Sequence, residues 1–149
     1  MRAVVQRVHR ANVQVDGVVV GEIGQGLVAF VAAGGSDDVR DAEVISTKIA
    51  GLRVFEDDTG KMSKSVQQIG GGVLAVSQFT LYGDVRRGRR PSFDNAMEPR
   101  RARELFDAFA THLEKQVTLV QRGVFGAMMR VMVDNDGPVT ILIDSHKLF

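Results

Sequence analysis

The apolar run Val73-Leu74-Ala75-Val76 stops abruptly at Ser77-Gln78-Phe79-Thr80-Leu81-Tyr82-Gly83-Asp84. A short, continuous apolar run reads as a buried strand, so the hydroxyl, amide and aromatic groups arrive where that strand ends. Strand ends leave backbone N–H groups free and rigidly aimed, which makes such a place a candidate site rather than more core. A second irregular stretch, Asn135-Asp136-Gly137-Pro138-Val139-Thr140, lies near the C-terminus.

Around the first feature the pattern is mainly β. Ala3–Val8 and Val13–Val15 read as strands, and Asp16-Gly17 before Val18–Val20 is a hairpin signal. Leu27–Ala33 is a further strand. Ala42, Ile45, Ile49 and Leu52 recur at helical spacing and predict a helix over Asp38–Gly51. Leu52–Phe55 reads as a short strand closed by Asp57-Asp58-Thr59-Gly60, and the central strand is drawn over Val73–Phe79. A second helix has Pro99 in its first turn and a stripe of Ala102, Leu105, Phe106, Phe109 and Leu113. Val117–Val120, Met128–Val133 and Val139–Ile143 complete the strands, the last two joined by Asn135-Asp136-Gly137-Pro138. Strands outnumber helices and several connections are hairpin-length. The expectation is one α+β domain over residues 1–149: a largely antiparallel, barrel-like or sandwiched sheet with two flanking helices.

Composition removes several chemistries. The chain of 149 residues has no cysteine, which excludes disulfides, thiolate nucleophiles and cysteine-held metal centres. No apolar run approaches about 20 residues, the length that spans a bilayer, and Met1–Val8 lacks a signal peptide's apolar centre. A cytoplasmic protein without a membrane partner is expected. Net charge is only +1, yet Arg86, Arg87, Arg89 and Arg90 crowd around Gly88, with Arg100, Arg101 and Arg103 shortly after. These arginines are either a solvated loop or a phosphate contact beside the site.

Gly24-Gln25-Gly26 loosely matches a dinucleotide fingerprint, but it opens a strand rather than a helix, and a turn explains it better. His9, His112 and His146 are scattered and lack ligand spacing, so no metal is expected. Thr80 is a candidate nucleophile with no neighbouring base in sequence, or else a strand residue bonding its own backbone. Gly137-Pro138 reads most simply as a turn. The other reading is a cis peptide, a form that about 5% of X-Pro bonds take.

Met1–Val8, Ser77–Leu81, Gly88-Arg89-Arg90-Pro91-Ser92-Phe93 and Asn135–Thr140, in order and at family spacing, resemble the D-aminoacyl-tRNA (D-tyrosyl-tRNA) deacylase family along essentially the whole chain. Gly123–Met129 is similar to the stretch before that family's penultimate strand, except that Met128 stands where a polar residue is common. The resemblance implies a cofactor-free homodimer that hydrolyses the ester between a D-amino acid, or glycine, and tRNA. Ser77, Gln78, Phe79 and Thr80 would line the pocket for the terminal adenosine and its aminoacyl group. Gly137, Pro138 and Val139, with a cis bond before the proline, would enter the partner subunit's pocket as a gate against L-amino acids. Arg7 would orient that loop, and Met129 would contact the substrate. Arg86, Arg87, Arg89 and Arg90 are the expected RNA contacts.

Two chemical routes follow. In one, Thr80 attacks the ester. In the other, which the resemblance favours, the RNA's own 2′-hydroxyl assists water while backbone N–H groups around Phe79 and Thr80 hold the oxyanion. A catalytically silent RNA-binding dimer of the same fold is the alternative of a different class.

Overall fold

Alternating burial carries the first strand, β1 (Arg2–Val15), without interruption where the pattern had suggested two. The computed structural model describes residues 1–149. Asp16 and Gly17 take φ of 50° and 80°, the positive angles of a two-residue hairpin turn, and lead into β2 (Val18–Ile23). β3 (Gly26–Ala32) follows. Its first residue must be glycine, because a Cβ there would overlap the Gly72 carbonyl. The Gly24–Gly26 segment is therefore a turn that lets two strands start in contact.

α1 (Val39–Gly51) starts at Asp38, whose side chain accepts from the Arg40 N–H while Asp41 reaches back to the cap backbone. Asp57 caps the small hairpin of β4 (Phe55–Glu56) and β5 (Met62–Lys64) by accepting from Thr59 and Ser63. The expected strand over Leu52–Phe55 shrinks to the start of β4. β6 (Gly72–Ser77) ends two residues before Phe79, which belongs instead to a 3-10 turn over Phe79–Tyr82. α2 (Pro99–Glu114) has Pro99 in its first turn and Glu98 as cap. β7 (Leu119–Arg122) lies slightly later than expected.

β8 (Arg130–Asp144) overturns the expected turn at Asn135–Pro138. The chain does not reverse there. It pairs antiparallel with β1 on both sides, from Arg2↔Asp144 to Gln6↔Thr140 and from Val8↔Asn135 to Gln14↔Arg130, while residues 136–139 bulge out of the ladder opposite Arg7. Between the pairs Gln6↔Thr140 and Val8↔Asn135, β8 carries three more residues than β1; between Val8 and Arg10, β1 carries one more than β8, and the ladder resumes beyond.

The sheet order is β2-β1-β3-β6-β7, with β8 on the other edge of β1. β1 runs antiparallel to β2, β3 and β8, whereas β3, β6 and β7 are parallel. The parallel half is made by crossovers that carry α1 and α2, a feature that counting hairpin-length connections misses. β2 and β7, the ends of the order, touch one another, so the sheet nearly closes. Val8, Val13, Ile23, Val28, Leu74 and Val76 fill its inside. The larger core lies between sheet and helices, where Ile45 and Ile49 of α1 join Leu105, Phe106, Phe109 and Leu113 of α2. Each such side chain contributes about 1.5–3 kcal/mol by leaving water. The α+β class with two helices flanking a barrel-like sheet therefore holds. No helix is long and apolar enough to cross a membrane.

Candidate functional site

β6 is buried from Gly72 to Val76 and emerges at Ser77. The Gln78 N–H still donates to the Val31 carbonyl at 2.8 Å, the last tie to β3. The 3-10 turn then begins, its first bond running from the Leu81 N–H to the Gln78 carbonyl at 3.1 Å. The Phe79 and Thr80 N–H groups precede that bond, as the leading N–H groups of any helical turn do. Phe79 lines a cavity of about 340 Å³ and Thr80 follows it in the chain; the volume is within the range of pockets that take small ligands.

Ser77, Gln78 and Phe79 form one wall of this cavity. Phe106 of α2 and Phe125 line the far side, and Met129 lies on the rim segment that also carries Met128. The lining is mostly apolar, with polar groups confined to the strand end. Of the expected residues, Ser77, Gln78, Phe79 and Met129 are thus brought together. Thr80 sits just outside, exposed, and its hydroxyl accepts a hydrogen bond from the Gln78 amide. An amide donor fixes the hydroxyl's lone pair and cannot take up its proton.

Met97, Phe106 and Phe125 are lining residues that the sequence did not single out as site residues. Phe106 reads as an ordinary stripe residue. Phe125 had a usable signal: a bulky apolar residue in the glycine-flanked loop Gly123–Gly126, away from any strand, needs a cavity or core to meet.

The basic loop is tied to the same turn. Asp84 and Ser92 exchange backbone hydrogen bonds at 2.7 and 2.9 Å and close a loop whose tip holds Arg86–Arg90. Phe93, just beyond, meets the Phe79 ring edge-on at 5.0 Å. Arg86 is already occupied: it grips Asp84 in a fork at 2.9 and 2.5 Å. That fork and the Arg86 N–H lower the Asp84 carboxyl to about 2. Arg87, Arg89 and Arg90 are exposed and belong to no ion pair of the chain.

Gly137, Pro138, Val139 and Arg7 lie elsewhere. The bond before Pro138 is cis, and Gly137 has φ of 118°. Arg7 is buried beneath them. Its Nη1 donates to the Val54 carbonyl at 2.6 Å, and its Nε stands 2.9 Å from Asp136 Oδ2 as an ion pair without hydrogen-bond alignment. The Asn135 amide donates to the Arg7 carbonyl at 2.9 Å and to the Val139 carbonyl at 3.2 Å. None of these residues lines the cavity of its own chain. β8 is paired only through β1 and leaves its other edge free. Met132 and Leu142 on β8, and Met128 just before it, are exposed.

The family model described as D-Tyr-tRNA(Tyr) deacylase matches residues 4–144. A D-aminoacyl-tRNA deacylase of Sorangium cellulosum is 61% identical over all of both chains. One of Koribacter versatilis is 54% identical, again over the full length of each. Among solved structures, the c-Myc DNA Unwinding Element Binding Protein superposes with a TM-score of 0.92 at 42% identity, covering 97% of this chain and 98% of that one. A probable eukaryotic D-amino acid tRNA deacylase shares the fold, with a TM-score of 0.83 at 16% identity over 95% of this chain and 97% of its own.

Proposed function

This chain belongs to the D-Tyr-tRNA(Tyr) deacylase family, and from that membership we propose that it hydrolyses the ester joining a D-amino acid, or glycine, to the 3′ end of tRNA. The observation that carries the reading is the union of an apolar cavity with a polar strand end. Ser77, Gln78 and Phe79 line the cavity, and the leading N–H groups of the turn, those of Phe79 and Thr80, are the donors nearest to it in the chain. Donors aimed where an oxyanion develops are a large source of rate in acyl transfer. The mobile part of the chemistry then comes from the RNA: its 2′-hydroxyl assists water. The Gln78 amide on the Thr80 hydroxyl supports this route over direct attack by Thr80.

Chirality is imposed by exclusion. With amino group, ester and α-hydrogen anchored, the side chain of a D-residue points out of the cavity. That of an L-residue meets the Gly137-Pro138 carbonyls of a second copy, and glycine has nothing to exclude. The gate acts in trans, because Gly137-Pro138 lies away from its own cavity while the free β8 edge and its exposed methionines offer a surface for a homodimer. Arg87, Arg89 and Arg90 beside Phe93 supply phosphate contacts, and the enzyme works in the cytoplasm without a cofactor.

Incubation with D-tyrosyl-tRNA and L-tyrosyl-tRNA tests the reading. Ester loss from the D form alone is expected, and equal release of both enantiomers would sink it. The second reading, a silent nucleic-acid-binding module, has one observation in its favour: a 42%-identical neighbour named for binding a DNA element. RNA binding with no ester loss from either substrate is its signature.

A further inference from the structure

Asp37 plays no part in the chemistry above, yet three segments framing the cavity converge on it. It lies on the loop between β3 and α1 and is 2% exposed. Its Oδ2 accepts from the Gly34 N–H at 2.5 Å and from the Tyr82 hydroxyl at 3.2 Å, and stands 2.8 Å from the Met1 ammonium. Its Oδ1 meets His146 Nε2 at 2.8 Å. Met1 lines the cavity, and so does Ala33, next to Gly34. Tyr82 closes the 3-10 turn that Phe79 opens.

The fit around Tyr82 is close. A Cβ on Gly34 would fall 2.7 Å from the Tyr82 hydroxyl, and the Arg2 guanidinium lies 4.4 Å over the ring. Arg2 is itself held by Asp144 at 3.1 Å. Burial works against charge on Asp37, but the ammonium, the Gly34 N–H and His146 outweigh it and hold the carboxyl below its usual range. Burial, then the Asp37 charge, push the Tyr82 phenol up. At neutral pH an anionic acceptor therefore faces an intact O–H donor.

We propose that Asp37 is a positioning residue for the deacylation: through the Tyr82 hydroxyl it holds the Phe79–Tyr82 turn, and so the Phe79 and Thr80 N–H groups, at the height the reacting ester requires. It touches no reacting atom. The inference rests on the reading that the cavity receives the aminoacyl end. Misplacing such donors weakens the transition state more than the bound ester, so the loss falls on kcat and not on KM.

The test is steady-state hydrolysis of D-tyrosyl-tRNA by the full chain and by Tyr82→Phe, Asp37→Asn and the double variant, each assayed well below its own Tm. Tyr82→Phe should lower kcat about tenfold with KM within about twofold. Asp37→Asn should lose more. The double variant should be no worse than Asp37→Asn, because Tyr82 acts only through its bond to Asp37, whereas Asp37 also holds Gly34, Met1 and His146. A purely structural role would lower Tm and leave kcat per folded molecule unchanged. Tyr82→Phe with wild-type kcat, or losses that multiply in the double variant, overturns the inference. If Asp37→Asn does not fold, the kcat of Tyr82→Phe alone decides. An inert wild type defeats the functional reading, and this inference with it, whereas an active wild type beside an unaltered Tyr82→Phe defeats the inference alone.

Discussion

Ser77–Tyr82 and Asn135–Val139 present the same signal in sequence, a polar, conformationally awkward stretch interrupting an apolar one, and they fold in opposite ways. At Ser77 the strand ends. β6 is flanked by β3 and β7, neither of which follows it, so the chain lifts off into a tight turn beside a cavity. At Asn135 the strand resumes its pairing, because β1 runs straight past: residues 136–139 bulge out opposite Arg7, and the ladder continues on either side. An interruption ends a strand where its neighbours stop, and becomes a bulge where a neighbour runs on past it. The first outcome leaves a polar strand end lining a cavity. The second leaves a braced protrusion held by Arg7, Asp136 and Asn135.

The comparison makes the protrusion intolerant of change and the turn more forgiving. The largest effect is expected at Gly137. With φ of 118°, an added Cβ would come 2.8 Å from Val139 Cγ2 and 3.2 Å from Arg7 Nη2. Gly137→Ala should cost about 2–4 kcal/mol in denaturant unfolding and abolish discrimination between enantiomers. Gly60→Ala, also at positive φ but in open space, should cost about 1 kcal/mol. Equal costs at the two sites would mean that the protrusion is not braced.

Arg7→Met comes next. It strips Asp136 of its arginine partner, leaving His9 at 3.5 Å, and the Val54 carbonyl of its donor, and should cost about 2–3 kcal/mol with a smaller loss of chiral discrimination. Thr80→Ala should change kcat by less than about tenfold, whereas removing an attacking hydroxyl costs on the order of a million-fold. A collapse of that size in the folded variant would make the turn a nucleophile's seat and undo the contrast.

The smallest effect concerns the basic loop. Asp84, lowered to about 2 by Arg86, has a folded pKa below its unfolded one. Its contribution to loop closure is therefore present above the ordinary carboxylate range and lost as pH falls through about 2. Carbon-detected NMR titration of the Asp84 carboxyl checks this, and a midpoint near 3.8 would refute it.

Most of the elements were legible because periodicity and capping are local. The stripe of α2 and the Asp38 cap follow from residues within a few positions of each other. The parallel pairing of β3, β6 and β7 was not, since hairpin-length connections elsewhere masked the two crossovers. Nor was the bulge of β8 around Gly137-Pro138, which shows as a bulge and not a reversal only because β1, more than a hundred residues away, pairs with β8 on both sides of it. Of the site, Ser77, Gln78 and Phe79 were visible as polarity at a strand end. Phe106 was hidden because a lining residue and a core residue share one helical stripe. Asp37 was hidden because its partners at Met1, Tyr82 and His146 are distant in sequence.

β1 is bonded along one edge to β2 and β3 and along the other to β8, the last strand of the chain. During synthesis the first strand to emerge must therefore wait for the last. Until then its β8-facing edge stays open, able to pair with a neighbouring nascent chain. Such sequence-distant pairing predicts slow, late-stage acquisition of the native state. Once that final strand docks, β1 amides should be among the slowest to exchange with solvent deuterium, since freeing them requires opening the sheet from both sides.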